Sequence, residues 1–212
     1  MITQRQRRQI VNQVDGTSVG LSVLVGAAIS LGLIELLASP LEQIASVDTQ
    51  ILAVQTTLLA SPLLISLLLL LRDGGVLVSQ GALLAGRHPR WLHRLWLVQV
   101  MPLVLASLVL ALYLLAAAMV SATLTQPERN NIGELATLLG SVAPTTFALA
   151  LVKTAIFAAL TLWISLQQGA RCQRLGLRPM AALSRAISLT MAVLLSLDLG
   201  LVLAFDPLLI RQ

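Results

Sequence analysis

Five long apolar segments constrain this chain more than any other feature of its sequence. Each approaches or exceeds the roughly 20 residues that cross a hydrocarbon core of about 30 Å as an α-helix. The segments are Thr17–Leu37, Ile51–Leu71, Leu97–Ala122, Leu138–Trp163 and Ile187–Phe205. The sequence therefore predicts an all-α, polytopic membrane protein with about five transmembrane helices.

The composition leaves little material for a soluble domain. Hydrophobic residues make up 57% of the chain and charged residues only 11%, whereas a soluble domain has about 25% charged residues. We expect a basic cytoplasmic segment at 1–15, a membrane domain at 16–206 with cytoplasmic loops at 72–95 and 166–186, and an outer tail at 207–212. The single cysteine, Cys172, excludes an intramolecular disulfide and every metal motif built on several cysteines.

The basic residues predict the orientation of the spans. Of the 14 lysines and arginines, those on one predicted side are Arg5, Arg7, Arg8, Arg72, Arg87, Arg90, Arg94, Arg171, Arg174, Arg178 and Arg185. Cytoplasmic loops of membrane proteins carry such an excess of positive charge. The N-terminus is therefore predicted to be cytoplasmic and, after five spans, the C-terminus to lie outside.

The sequence offers no catalytic or metal-binding constellation. Its two histidines, His88 and His93, lie five residues apart with no nearby carboxylate, which does not match a helical zinc motif. Neither a nucleophile elbow nor a Walker A loop is present. We expect no enzyme activity, cofactor or metal, and any ATP hydrolysis to occur on a separate chain. Nucleic-acid binding is not expected either, because the arginines lie at span ends, where contact with lipid headgroups explains them.

Three charged residues fall within or near the predicted spans: Glu35, Lys153 and Asp198. A charge near the bilayer centre costs about 2.5–3.5 kcal/mol on insertion scales, so such residues are usually paired or functional. Lys153 and Asp198 are predicted at a similar depth, about 15–17 Å from the cytoplasmic side, on consecutive spans. They could form an ion pair that fixes the two helices, or polar contacts along a substrate path. Glu35 is expected near the outer interface.

The segment from Arg87 to Trp96 is basic, amphipathic and aromatic. One interpretation is an interfacial helix anchored by Trp91 and Trp96. The other is a docking surface for a cytoplasmic partner.

The last third of the chain resembles the MlaE/YrbE-type permeases, the membrane subunits of MCE-associated ABC transporters. The residues that carry the resemblance are Leu151–Ala158, Trp163–Ser165, Gly169, Ala186 and Leu195–Asp198. Weaker similarity includes Gly26 in the first span and Arg72–Gly75, which resembles a turn that follows the second span in that family. In all, the resemblance covers roughly residues 10–205.

This resemblance implies an MlaE-like permease fold in a bacterial inner membrane. It implies phospholipid as substrate, with an ABC ATPase, an MCE-domain substrate-binding protein and a second permease, in a homodimer or heterodimer, as partners. The residues expected along the lipid path or in an ion pair are Lys153, Asp198 and Glu35. The candidates for ATPase docking are Arg72, Arg87, Arg90, Trp91 and Arg94.

The departures from the family pattern leave two functions open. The predicted loop 72–95 lacks the family's coupling helix, and Leu58–Pro62 retains only the proline of a charged element in the second span. The chain could be a divergent transport subunit, or a non-transporting scaffold that pairs with a full-length permease. A solute transporter of unrelated type would need a polar cavity, which these spans barely provide.

Overall fold

The computed structural model describes residues 16–38, 46–84, 90–124, 131–176 and 179–209, and within these ranges the regular elements are all α-helices. In chain order they are α1 (Gly16–Ala38), α2 (Ser46–Leu83), α3 (Arg90–Leu124), α4 (Asn131–Ser141), α5 (Pro144–Arg174) and α6 (Pro179–Leu209). The predicted segment 1–15 lies outside the described residues, as do residues 210–212 of the predicted tail 207–212, whose first three residues belong to α6.

Five of these helices are long and apolar enough to cross a membrane. Their spans are Gly16–Leu36, Thr49–Leu83, Leu92–Leu124, Pro144–Arg174 and Ala181–Leu201. The predicted all-α class and the number of spans are thereby confirmed, and the chain is a multi-pass membrane protein. The direction in which the spans cross stays a prediction from the arginine distribution.

Helices extend into both predicted cytoplasmic loops. The first loop was placed at 72–95, but α2 continues to Leu83 and α3 begins at Arg90. Arg72–Gly75, expected to form a turn, is helical. The residues after Asp73 are mostly small and apolar. Extending an existing helix adds one backbone hydrogen bond for each residue whose conformation is fixed, so the two adjacent charges of Arg72 and Asp73 do not end α2. The second loop was placed at 166–186, but α5 continues to Arg174 and α6 begins at Pro179.

The predicted fourth span, Leu138–Trp163, is interrupted. Helix α4 ends at Ser141 and α5 begins at Pro144, with Val142 and Ala143 between them. Proline disfavours helical backbone in the residue before it, and at the first position of a helix its missing N–H costs nothing. The backbone N–H of Phe147 donates to the carbonyl of Ala143 at 3.1 Å, which closes the first turn of α5.

Pro62 lies inside α2, and the structure shows how the helix accommodates it. Proline has no N–H to donate to the carbonyl four residues earlier, which here belongs to Leu58. The hydroxyl of Ser61 donates to that carbonyl at 2.8 Å instead. A buried serine therefore satisfies the backbone acceptor that the proline leaves, as a membrane span requires.

The chain divides into two compact units. The first unit comprises Met1–Ile65 and Pro102–Ile156, and the second comprises Ser66–Met101 and Phe157–Gln212. The buried core of the first unit consists of Val54, Leu58, Leu115, Met119, Ala122, Leu138 and Ala150. A smaller core cluster in the second unit consists of Val78, Cys172, Ala182 and Ala186.

Small residues bring α1 and α3 together in the first unit. Ser18, Ser22, Gly26 and Ser30 recur every four residues along α1, and all four are buried. A Cβ atom on Gly26 would overlap the backbone carbonyl of Leu114 in α3. The hydroxyl of Ser30 donates to the carbonyl of Ala118 at 3.0 Å. This is the small-residue packing by which membrane helices approach closely when no hydrophobic effect drives them together.

A second close crossing joins α2 and α5 in the second unit. A Cβ atom on Gly81 would overlap the carbonyl of Leu166, and one on Gly169 would overlap the carbonyl of Val78. The two glycines thus lie at one crossing, each against the backbone of the other helix. By contrast, a Cβ atom on Gly75 would meet nothing within 4 Å.

Candidate functional site

Among the candidate site residues, Lys153 is the one whose surroundings in the structure bear most directly on function. It lies in the first unit on α5, nine residues after Pro144, which is about 14 Å along the helix axis. Its exposure is 4%, and among the residues whose side chains are described it is the one charged residue that is buried. The next residue, Thr154, is fully buried and donates to the carbonyl of Ala150 at 2.8 Å. Lys153 therefore places a cationic donor inside an apolar span, where charges are rare and usually functional.

The other two charges predicted within spans have different surroundings. Asp198 lies on α6 in the second unit and is half-buried, and Glu35 lies on α1, three residues before the end of that helix, and is exposed. The ion pair of Lys153 with Asp198 stays a prediction, as does the place of Glu35 on a lipid path.

An ion pair that the sequence did not predict lies in the part of α2 that continues past the predicted second span. The Nε atom of Arg72 lies 3.4 Å from Oδ1 of Asp73, and the two side chains are 24% and 22% exposed. Arg72 lies eleven residues before Leu83, the end of α2, or about 16 Å along the axis. The predicted second span stops at Leu71, so the sequence places Arg72 in a loop. The apolar character of the residues that follow Asp73 is the signal in the sequence that the helix continues.

A hydrogen bond between two glutamines links α2 to α3 in the second unit. The Nε2 atom of Gln99 donates to Oε1 of Gln80 at 2.9 Å. Asp73 and Gln80 are seven residues apart, so they lie on the same side of α2, two turns from each other. This side of α2 therefore carries hydrogen-bonding groups. The sequence does not predict this contact, because it places Gln80 in a loop and Gln99 in a span, and nothing in the pattern brings the two side chains together.

Only some of the candidate docking residues belong to the part of the chain that the structure describes. Arg87 lies outside the described residues, and Arg90 and Trp91 are the first residues of α3, with side chains that also lie outside them. Arg94 is exposed and Arg72 is half-buried within α2. Arg72 therefore lies on α2 itself and not in a connecting segment, and the docking role of these residues stays a prediction.

Trp96 has a structural role that the sequence did not indicate. Its indole N–H donates to the carbonyl of Ala159 on α5 at 3.1 Å. Its ring stacks on His93 at a centroid distance of 5.9 Å and meets Trp163 edge to face at 5.9 Å. Trp96 thus joins α3 to α5 within the second unit, and a tryptophan with a bonded N–H and an apolar body suits an interfacial position.

Among the described residues, no group of three or more histidine, cysteine, aspartate and glutamate side chains is placed to hold a metal ion.

Comparison with known proteins does not identify a family: no family model matches the chain, and no curated protein matches it significantly.

Proposed function

We propose that this chain is the membrane-spanning permease subunit of an ABC-type phospholipid transport system in a bacterial inner membrane. It would work with an MCE protein and a separate ATPase. The observation that carries the proposal is the buried ammonium group of Lys153 within the span α5. It lies in the segment whose sequence resembles the MlaE/YrbE-type permeases.

The chemistry of Lys153 supports this assignment. A lysine ammonium group has three N–H donors, so it can bind an anionic group in addition to its contacts within the protein. A phospholipid headgroup carries a phosphate, which lysine binds as a compact point charge. The chain contains no nucleotide-binding motif, so the energy for transport would come from an ATPase on another chain.

The test is the amount of phospholipid that co-purifies with the protein in mild detergent. Lys153→Met keeps an unbranched side chain but removes the charge, so bound phospholipid per protomer should fall several-fold. Lys153→Arg should retain most of it. Ile156→Met serves as the control, because Ile156 lies on the same helix and is 43% exposed. Mass spectrometry of extracted lipid gives the readout, and a monodisperse elution profile shows that each variant is folded. Equal lipid content in Lys153→Met and the parent would refute a headgroup role for Lys153.

One observation favours the scaffold alternative. Because α2 ends at Leu83 and α3 begins at Arg90, the connection between these spans comprises only residues 84–89. The resembled family places its coupling helix between these two spans, and among the described residues no separate helix lies between α2 and α3. On this reading the chain pairs with a full-length permease, which provides the coupling to the ATPase.

Co-purification with the neighbouring subunits separates the two functions. If the chain itself couples, replacing Arg90, Trp91 and Arg94 together by alanine should release the ATPase while membrane insertion is unchanged. If it is a scaffold, the triple variant should keep the ATPase, and a second permease should be present in the purified complex. Trp96 is left unchanged in this test because its contacts with α5 make it part of the fold.

A further inference from the structure

Helix α4 is too short to cross a membrane. Its 11 residues, Asn131–Ser141, extend about 17 Å, whereas a hydrocarbon core is about 30 Å thick. It lies in the first unit, between the third span and the fourth.

One leucine of α4 shows where the helix lies. Leu138 is 1% exposed and belongs to the core cluster that contains Ala122 of α3, with Ile51 of α2 packed against it. Ala122 lies two residues before Leu124, the end of its span, and Ile51 lies two residues after Thr49, the start of its span. Two residues correspond to about 3 Å along a helix. Helix α4 therefore packs at the boundary of the apolar spans.

Two further leucines continue the same apolar side outward. Leu135, Leu138 and Leu139 follow the i, i+3, i+4 spacing that places residues on one side of a helix. Leu138 faces the core, whereas Leu135 is 37% exposed and Leu139 is 62% exposed. Thr137 is exposed on the opposite side of α4. The helix is therefore amphipathic, with an apolar stripe that passes from the protein core to its outer surface.

We infer that α4 lies in the membrane interface, with Leu135 and Leu139 inserted among the lipids at the boundary between headgroups and acyl chains. Lipid is the occupant because the exposed leucines at the ends of neighbouring spans, Leu36 at 72% and Leu124 at 64% exposure, make an apolar surface at the same boundary. The joint to α5 consists only of Val142 and Ala143. Two residues reach at most about 7 Å, so α4 cannot leave the surface from which α5 enters the membrane.

Helices of this kind bury their apolar side about 5–10 Å into the boundary region. The inference depends only on the membrane-spanning class of the chain, and it is independent of the proposed transport function. A failed lipid-binding test at Lys153 would leave it unchanged.

The experiment is site-directed spin labelling in liposomes of phosphatidylcholine and phosphatidylglycerol. Cysteines replace Leu135, Leu139 or Thr137 singly in a Cys172→Ser background. Power saturation then compares collisions with oxygen, which concentrates in lipid, and with a water-soluble nickel chelate. Positions 135 and 139 should favour oxygen, and position 137 should favour the nickel chelate. A monodisperse elution profile is required of each labelled variant.

Two results would overturn the inference. If all three positions favour the nickel chelate, α4 lies in water above the membrane. If positions 135 and 139 are protected from both reagents, a second copy or another protein covers the stripe instead of lipid. Should the label at position 135 prevent folding, the comparison of the more exposed position 139 with 137 decides alone.

Discussion

The crossing of α2 and α5 predicts a large difference between two glycines of the same helix. A Cβ atom on Gly81 would lie 2.9 Å from the carbonyl carbon and 3.0 Å from the Cα atom of Leu166. These are backbone atoms that no rotamer change can move. A Cβ atom on Gly75 would meet nothing within 4 Å. The matched pair Gly81→Ala and Gly75→Ala therefore adds the same methyl group to the same helix in two different surroundings.

The magnitude follows from these distances. To restore ordinary contact distances the helices must separate locally by on the order of 1 Å, and such overpacking typically costs about 1–3 kcal/mol. Alanine at an unobstructed helical position is neutral to about 1 kcal/mol more stable than glycine. We therefore expect Gly81→Ala to be destabilised by about 1–3 kcal/mol and Gly75→Ala to be unchanged or slightly stabilised. With a shift of roughly 2–4 °C per kcal/mol, the melting temperature of Gly81→Ala should fall by roughly 2–12 °C.

The assay is thermal unfolding in mild detergent, followed by tryptophan fluorescence, because Trp96 and Trp163 both lie in the second unit. The double variant Gly81→Ala with Gly169→Ala adds a second test. One separation of the helices relieves both overlaps, so the two costs should sum to less than their separate values. Equal melting temperatures for Gly81→Ala and Gly75→Ala would refute the close crossing.

Two further predictions concern hydrogen bonding and orientation. Ser30→Ala removes the hydrogen bond from α1 to α3 and should lower the free energy of unfolding by about 0.6 kcal/mol, and by at most about 1.7 kcal/mol. Ser196→Ala loses only a hydrogen bond within its own helix and should cost less. Thermal unfolding in detergent compares the two variants, and equal costs would count against the α1–α3 contact. In a Cys172→Ser background, a cysteine at His88 should react only when the cytoplasmic side is accessible, and one at Asn130 should react with an impermeant reagent from outside, whereas the opposite pattern would reverse the orientation.

The candidate site was predictable only in part. Lys153 could be found from the sequence because a single charge in a long apolar run stands out against a cost of about 2.5–3.5 kcal/mol. The continuation of α2 past Arg72 and Asp73 was not predictable for the opposite reason: two adjacent charges lower the local hydropathy enough to suggest the end of a helix. In the folded chain their side chains lie 3.4 Å apart, and the helix continues past them. Hydropathy along a sequence does not distinguish a paired charge within a helix from a loop.

The sequence by itself determined the class of the protein, because the number of spans depends on local runs of apolar residues that must each satisfy their own backbone as a helix. It did not distinguish the glycines at helix crossings from those at open positions. Gly26, Gly81 and Gly169 lie against a neighbouring backbone, whereas Gly20, Gly32 and Gly75 meet nothing within 4 Å. The tertiary structure also decided that Leu138 belongs to a separate short helix and that Trp96 bonds to α5. The physical reason is that hydropathy sums over adjacent residues, whereas close packing depends on which distant backbone each residue meets.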